Sequence, residues 1–234
     1  MPTTMTTELH VTIGRLVWHL GPVTRLSSPS RRTALWLIGA LPSVAAMVHF
    51  FSIRPDLSVK ALEIGFVLEL GAAFVTAIVA AWSAFAMTVP GYDRRYLIWP
   101  IGLASAWMAS LLGPCIRDVM AHGWTGIRFE ADWVCLPMIA VLGAWPAVLL
   151  ALMLQRGAPL APVRTIAMGA FASAALGDVG LQLFHVQDES LAVFVWQLGS
   201  ALLLSWLAAR AGHLILKWPT ERLRKRLLFD QPPL

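Results

Sequence analysis

Long, almost unbroken apolar runs dominate the chain from Ala34 onward, separated by short gaps rich in Pro, Gly and Arg. Six windows, at about residues 34–51, 66–89, 97–116, 134–154, 166–184 and 191–209, approach the roughly 17 to 25 apolar residues that a helix needs to cross a bilayer core. Each run is apolar on every face and lacks the two-residue alternation of a barrel strand. The pattern predicts an all-α polytopic membrane protein with a bundle of six transmembrane helices. Composition agrees: 58% of the 234 residues are hydrophobic and 13% are charged, against about 25% charged in a soluble domain.

Basic residues give the orientation. With the amino terminus inside, 14 of the 18 Lys and Arg fall on the inner side, and only Arg54, Lys60, Arg117 and Arg128 fall outside. Positive charge in short loops stays cytoplasmic, so both termini are expected there. The net charge of +5 then reports insertion and attraction to anionic lipid rather than a nucleic-acid partner. The first 33 residues lack a continuous apolar stretch, so no cleavable signal peptide is expected. The expected organisation is a cytoplasmic amphipathic segment at residues 1–32, a transmembrane domain at 33–216 and a basic cytoplasmic tail at 217–234.

The loops are too short to bury a core of their own, which leaves the termini as interaction surfaces. Over residues 7–20, Leu9, Ile13, Leu16, Val17 and Leu20 share one helical face, Glu8 favours the helix start and Gly21-Pro22 stops it. Such a helix either lies on lipid headgroups or docks into a partner's groove. The tail, basic with interspersed Leu, reads as a segment snorkelling along the lipid surface.

Two carboxylates interrupt the apolar runs, Glu69 in the second span and Asp178 in the fifth. At mid-span such a group costs on the order of 3 kcal/mol on insertion scales, so both should face the bundle interior. They serve either a proton or cation pathway or an interhelical hydrogen bond, for example to Thr76, Ser83 or a backbone carbonyl. The fifth span also carries Gly169, Ser173 and Gly177 at steps of four, a stripe that lets helices approach closely. The two cysteines, Cys115 and Cys135, fall at the predicted outer face, where they either pair or remain separate buried thiols. No nucleophile elbow, phosphate-binding loop, HExxH or CxxC is present. An enzyme is not expected, nor a resident metal or cofactor.

Several segments together resemble one family. These are Gly21-Pro22-Val23-Thr24-Arg25-Leu26, Arg54-Pro55-Asp56-Leu57, Phe66-Val67-Leu68-Glu69-Leu70, Val89-Pro90-Gly91 and Trp133-Val134-Cys135-Leu136. They continue with Gln155-Arg156-Gly157-Ala158-Pro159, the Gly169 to Gly177 stripe, Leu183-Phe184-His185, Asp188-Glu189-Ser190 and Phe194-Val195-Trp196. In this order they resemble NrsF, negative regulator of sigma F, a family of six-span bacterial membrane proteins. The resemblance implies an inner-membrane anti-sigma factor that holds an extracytoplasmic-function sigma factor, its protein partner, away from RNA polymerase, with no direct nucleic-acid contact. It implies that the amino-terminal segment makes the contact and that outer-face cysteines sense stress. Cys135 matches the family's first cysteine. Val186 stands where the second would be, which leaves Cys115 as the alternative. A small cation- or proton-coupled transporter built on Glu69 and Asp178 is the competing expectation.

Overall fold

The computed structural model describes residues 14, 26–89, 91, 93, 98–123, 134–157, 161–186 and 194–215. Its elements are α1 (Pro29–Phe51), a one-turn α2 (Leu57–Lys60), α3 (Ile64–Ala86), α4 (Ile98–His122), α5 (Cys135–Leu154), α6 (Pro162–Phe184), and a π-helical turn (Phe194–Leu198) that runs directly into α7 (Gly199–Ile215). Among the described residues no strand is present.

Local chemistry moves the start of α1 ahead of the apolar window. Ser28 caps the helix, its hydroxyl accepting from the Arg31 amide, and Pro29 occupies the first turn, where its missing N–H costs nothing. The helix therefore begins five residues before Ala34 and takes Arg32 inside. At its other end, Ser52 adopts φ +70° and its amide bonds back to His49.

The helix at the centre of the bundle is α6, which packs against α3, α5, α7 and α1. Of its 18-residue apolar window 78% is buried, against 22%, 28% and 33% for α1, α3 and α5. Small side chains explain this position. A Cβ on Gly177 would stand 2.8 Å from the Ile139 carbonyl oxygen, and one on Gly143 would stand 2.9 Å from that of Ser173. The backbones of α5 and α6 thus meet through the predicted stripe, as small residues permit in apolar bundles.

Consecutive long helices run antiparallel. One end of the bundle gathers the starts of α1, α4 and α6 with the ends of α3, α5 and α7; it is called the Arg32 end. The opposite, Arg54 end joins α1 to α6 through the Arg54 amide, which donates to the Leu183 carbonyl oxygen at 3.1 Å.

Four helices, α1, α3, α5 and α6, are long and apolar enough to cross a membrane. Within the described residues α4 carries an apolar stretch at Ile98–Gly113, and α7 is followed from the π turn as far as Ile215. Six spans are thus not resolved as six equal helices. The outer surface is consistent with lipid. Leu35, Ile38, Trp99, Ile101, Trp145, Leu152 and Trp206 are all exposed, far more apolar surface than a water-facing monomer carries.

Candidate functional site

Polar chemistry inside the bundle centres on Asp178. The side chain is fully buried, and Gln182, one turn along α6, donates from Nε2 to its Oδ2 at 3.0 Å. Asp178 therefore faces the interior, as an acid in an apolar run must. Its partner is Gln182 rather than Thr76, Ser83 or a backbone carbonyl. The hydroxyls of Thr76 and Ser83 are buried without a partner among the described residues, as are Asp178 Oδ1 and Gln182 Oε1. Glu69 lies within electrostatic reach of Asp178 and is half-buried. Glu69 sits less than two turns into α3, where its head can reach the end of the bundle.

The Arg32 end is tied by a charge that hydropathy alone places in a loop. Arg32 is 5% exposed. Its Nη1 donates to Thr88 Oγ1 at 2.7 Å, its Nη2 to the Met153 carbonyl oxygen at 2.5 Å, and its Cζ lies 4.5 Å from the Phe85 ring centroid. Thr88 in turn donates to the Phe85 carbonyl at 2.6 Å. One guanidinium thus joins α1 to the last turns of α3 and α5, where helix dipoles favour positive charge. Gly157 lets the chain leaving α5 pass over Thr88, for a Cβ there would come within 2.6 Å of the threonine Cβ.

At the Arg54 end, the Arg54 guanidinium grips Asp56 through Nε–Oδ1 and Nη2–Oδ2 contacts of 2.7 Å each. That hydrogen-bonded pairing holds the Asp56 carboxyl below its ordinary value of 3.8, with further attraction from Arg54 and Lys60 charges. Phe51 stacks on Phe184 at 5.2 Å beside it. Cys135, the first residue of α5, is fully buried at this end. Cys115 lies on α4 toward the same end, but its side chain is outside the described residues. Leu9, Ile13, Leu16, Val17 and Leu20, and the tail from 216 onward, also lie outside them.

Along the flank between α4 and α7, α6 floors an apolar groove of about 340 Å³ lined by Pro100, Ala104, Met108, Phe171, Leu202 and Ser205 among others. Among the described residues no three His, Cys, Asp or Glu side chains are placed to hold a metal ion.

Sequence reasoning missed Arg32, Arg54 and Gln182. The Ser28-Pro29 start signal was available for the first, and the i, i+4 spacing from Asp178 for the last. Nothing local marks Arg54 as buried; the ring under its guanidinium, 5.7 Å from Cζ, is that of Phe66 on α3.

The family model described as NrsF, negative regulator of sigma F, matches residues 16–218. No curated protein and no solved structure gives a significant match.

Proposed function

The chain belongs to the NrsF family of negative regulators of sigma F, and from that premise we propose an integral inner-membrane anti-sigma factor that captures an extracytoplasmic-function sigma factor at the cytoplasmic face. Stress at the envelope, oxidative or metal in kind, releases it. The observation that carries this reading is the extent of the match, which begins at Leu16 within the amphipathic segment and runs through every described helix.

The exposed surface and the charge pattern support a division of labour. Exposed apolar rows on α1, α4, α5 and α7 meet lipid and anchor the protein. The basic bias of the sequence puts the Arg32 end in the cytoplasm, directly beside the segment that enters α1. Leu9, Ile13, Leu16, Val17 and Leu20 on that segment are the proposed contact for the sigma factor, docking as an apolar helix face in a groove. Because α1 touches α6 at the Arg54 end and is held by Arg32 at the other, it is the element able to carry a change across the membrane.

The test replaces Leu16 and Leu20 by Asp, since charges buried in an apolar groove without partners cost several kcal/mol. Target transcription should rise while the protein still inserts; unchanged repression with normal insertion would remove this segment as the contact. An export-dependent reporter fused after Gly123 should be active and one after Ala158 silent. Asp178 buried near Glu69 favours the transporter as the second reading, and repression that survives Glu69→Gln counts against it.

A further inference from the structure

We propose that Asp178 and Gln182 form the core of a binding site for an alkali-metal cation, between α6 and the start of α7. Asp178 Oδ1 and Gln182 Oε1 belong to one hydrogen-bonded pair, both are buried, and neither has a partner among the described residues. Carboxylate and amide oxygens only accept. Two such acceptors in an apolar interior call for a donor or a cation.

Counted along both helices from one contact, further oxygens fall at about the same height. Gly212 on α7 sits against Ile166 on α6. Moving outward by the same number of residues on both antiparallel helices leads from Ile166 to Asp178 and from Gly212 to Ser200. Ser200 Oγ and, a turn beyond it, Gln197 Oε1 are also buried without a partner among the described residues. Gln197 lies in the π turn that precedes α7, and such wide turns re-aim side chains at functional sites. Interrupted helices hold ions in this way in other membrane bundles.

Charge and ligand type narrow the occupant. Glu69 has Lys60 within electrostatic reach, whereas the groups acting on Asp178 are Gln182 and Glu69. Ionised, Asp178 would have no cationic side chain among the groups acting on it in the described residues, and a single positive charge would restore local neutrality. The oxygens of this set, with no three His, Cys, Asp or Glu side chains grouped among the described residues, suit a hard ion rather than a transition metal. A proton is the rival occupant: a carboxyl O–H donated to Gln182 Oε1 would close a ring with the existing bond, but it leaves Gln197 and Ser200 unanswered.

The experiment uses the full chain in lipid nanodiscs at mildly alkaline pH, with choline chloride replaced stepwise by sodium or potassium chloride at constant ionic strength. Thermal unfolding is followed by Trp fluorescence. A saturable rise in Tm on the order of 5 °C is expected with one of the alkali ions and not with choline. Asp178→Asn should abolish the ion dependence, and Gln182→Ala should raise the half-saturating concentration about tenfold. Equal Tm in sodium, potassium and choline, with stabilisation only on acidification, would assign the site to a proton and overturn the proposal. An ion response unchanged in Asp178→Asn would overturn it as well. The wild-type comparison stands even if a variant fails to fold.

Discussion

Arg32 Nη2 donates to the carbonyl oxygen of Met153, at 2.5 Å, across 121 positions of sequence. The contact spends a buried charge on the open end of α5. With Nη1 on Thr88 and the guanidinium over Phe85, it sets the spacing of α1, α3 and α5 at the end from which the amino-terminal segment enters the bundle.

Arg32→Ala should therefore destabilise the protein by about 2 to 4 kcal/mol, since a buried carbonyl loses its donor and the ring loses its cation. Arg32→Lys should recover part of this, because an ammonium cannot reach both acceptors in the planar geometry of a guanidinium. Unfolding in micelles measures both. Equal stability of all three proteins would show that water or lipid headgroups replace the contact.

Arg32 also shows what the sequence concealed. A hydropathy window stops at a charge, so the residue falls outside the span, and only the facing turn of α5 reveals why it is buried. The burial of Asp178 was legible, because an acid in an apolar helix has nowhere else to go. Its pairing with Gln182 was open to reading from the i, i+4 spacing along α6. The close approach of α5 and α6 was legible from Gly169, Ser173 and Gly177, whose lack of bulk has one use in an apolar bundle. Four of the six expected spans are clear among the described residues, and the last run starts in the π turn Phe194–Leu198 rather than as one regular α-helix.

Gly177→Ala tests the close approach. Its Cβ would meet the Ile139 carbonyl oxygen at 2.8 Å and the Gly143 amide nitrogen at 3.0 Å, and backbone cannot rotate aside as a side chain can. A loss of about 1 to 3 kcal/mol is expected. Gly71→Ala is the control: nothing lies within 4 Å of its added Cβ, and the change should fall within about 1 kcal/mol of neutral, on the stabilising side. Similar effects of the two substitutions would mean that α5 and α6 do not rely on this contact.

Asp56 gives a pH dependence of known sign. Its hydrogen bonds from Arg54 hold the folded-state value below the ordinary 3.8, so the unfolded chain takes up a proton first as pH falls. The pair's contribution is complete above the ordinary carboxylate range and disappears as pH drops through the folded-state value. Asp56→Asn should lower Tm near neutral pH, and the difference from wild type should shrink on acidification below about 3.8. A difference that grows in acid would reverse the assigned sign.

Cys135 bears on the proposed response to stress. The thiol is fully buried at the first residue of α5, whereas reactive cysteines are generally part-exposed. In a Cys115→Ser chain, a membrane-impermeant maleimide should label Cys135 at least about 100-fold more slowly in the folded protein than after denaturation, because reaction waits for local opening. Sensing through this residue then requires the start of α5 to loosen first, and agents that loosen it should speed labelling and raise target transcription together. Cys135→Ala should keep repression while losing the response to oxidants and thiol-reactive metals, since it removes the thiol and little packing volume. Rapid labelling of the folded protein would make the thiol directly accessible. A full stress response in Cys135→Ala would leave this cysteine a packing residue and pass the sensing role to Cys115 or to the polar groups around Asp178.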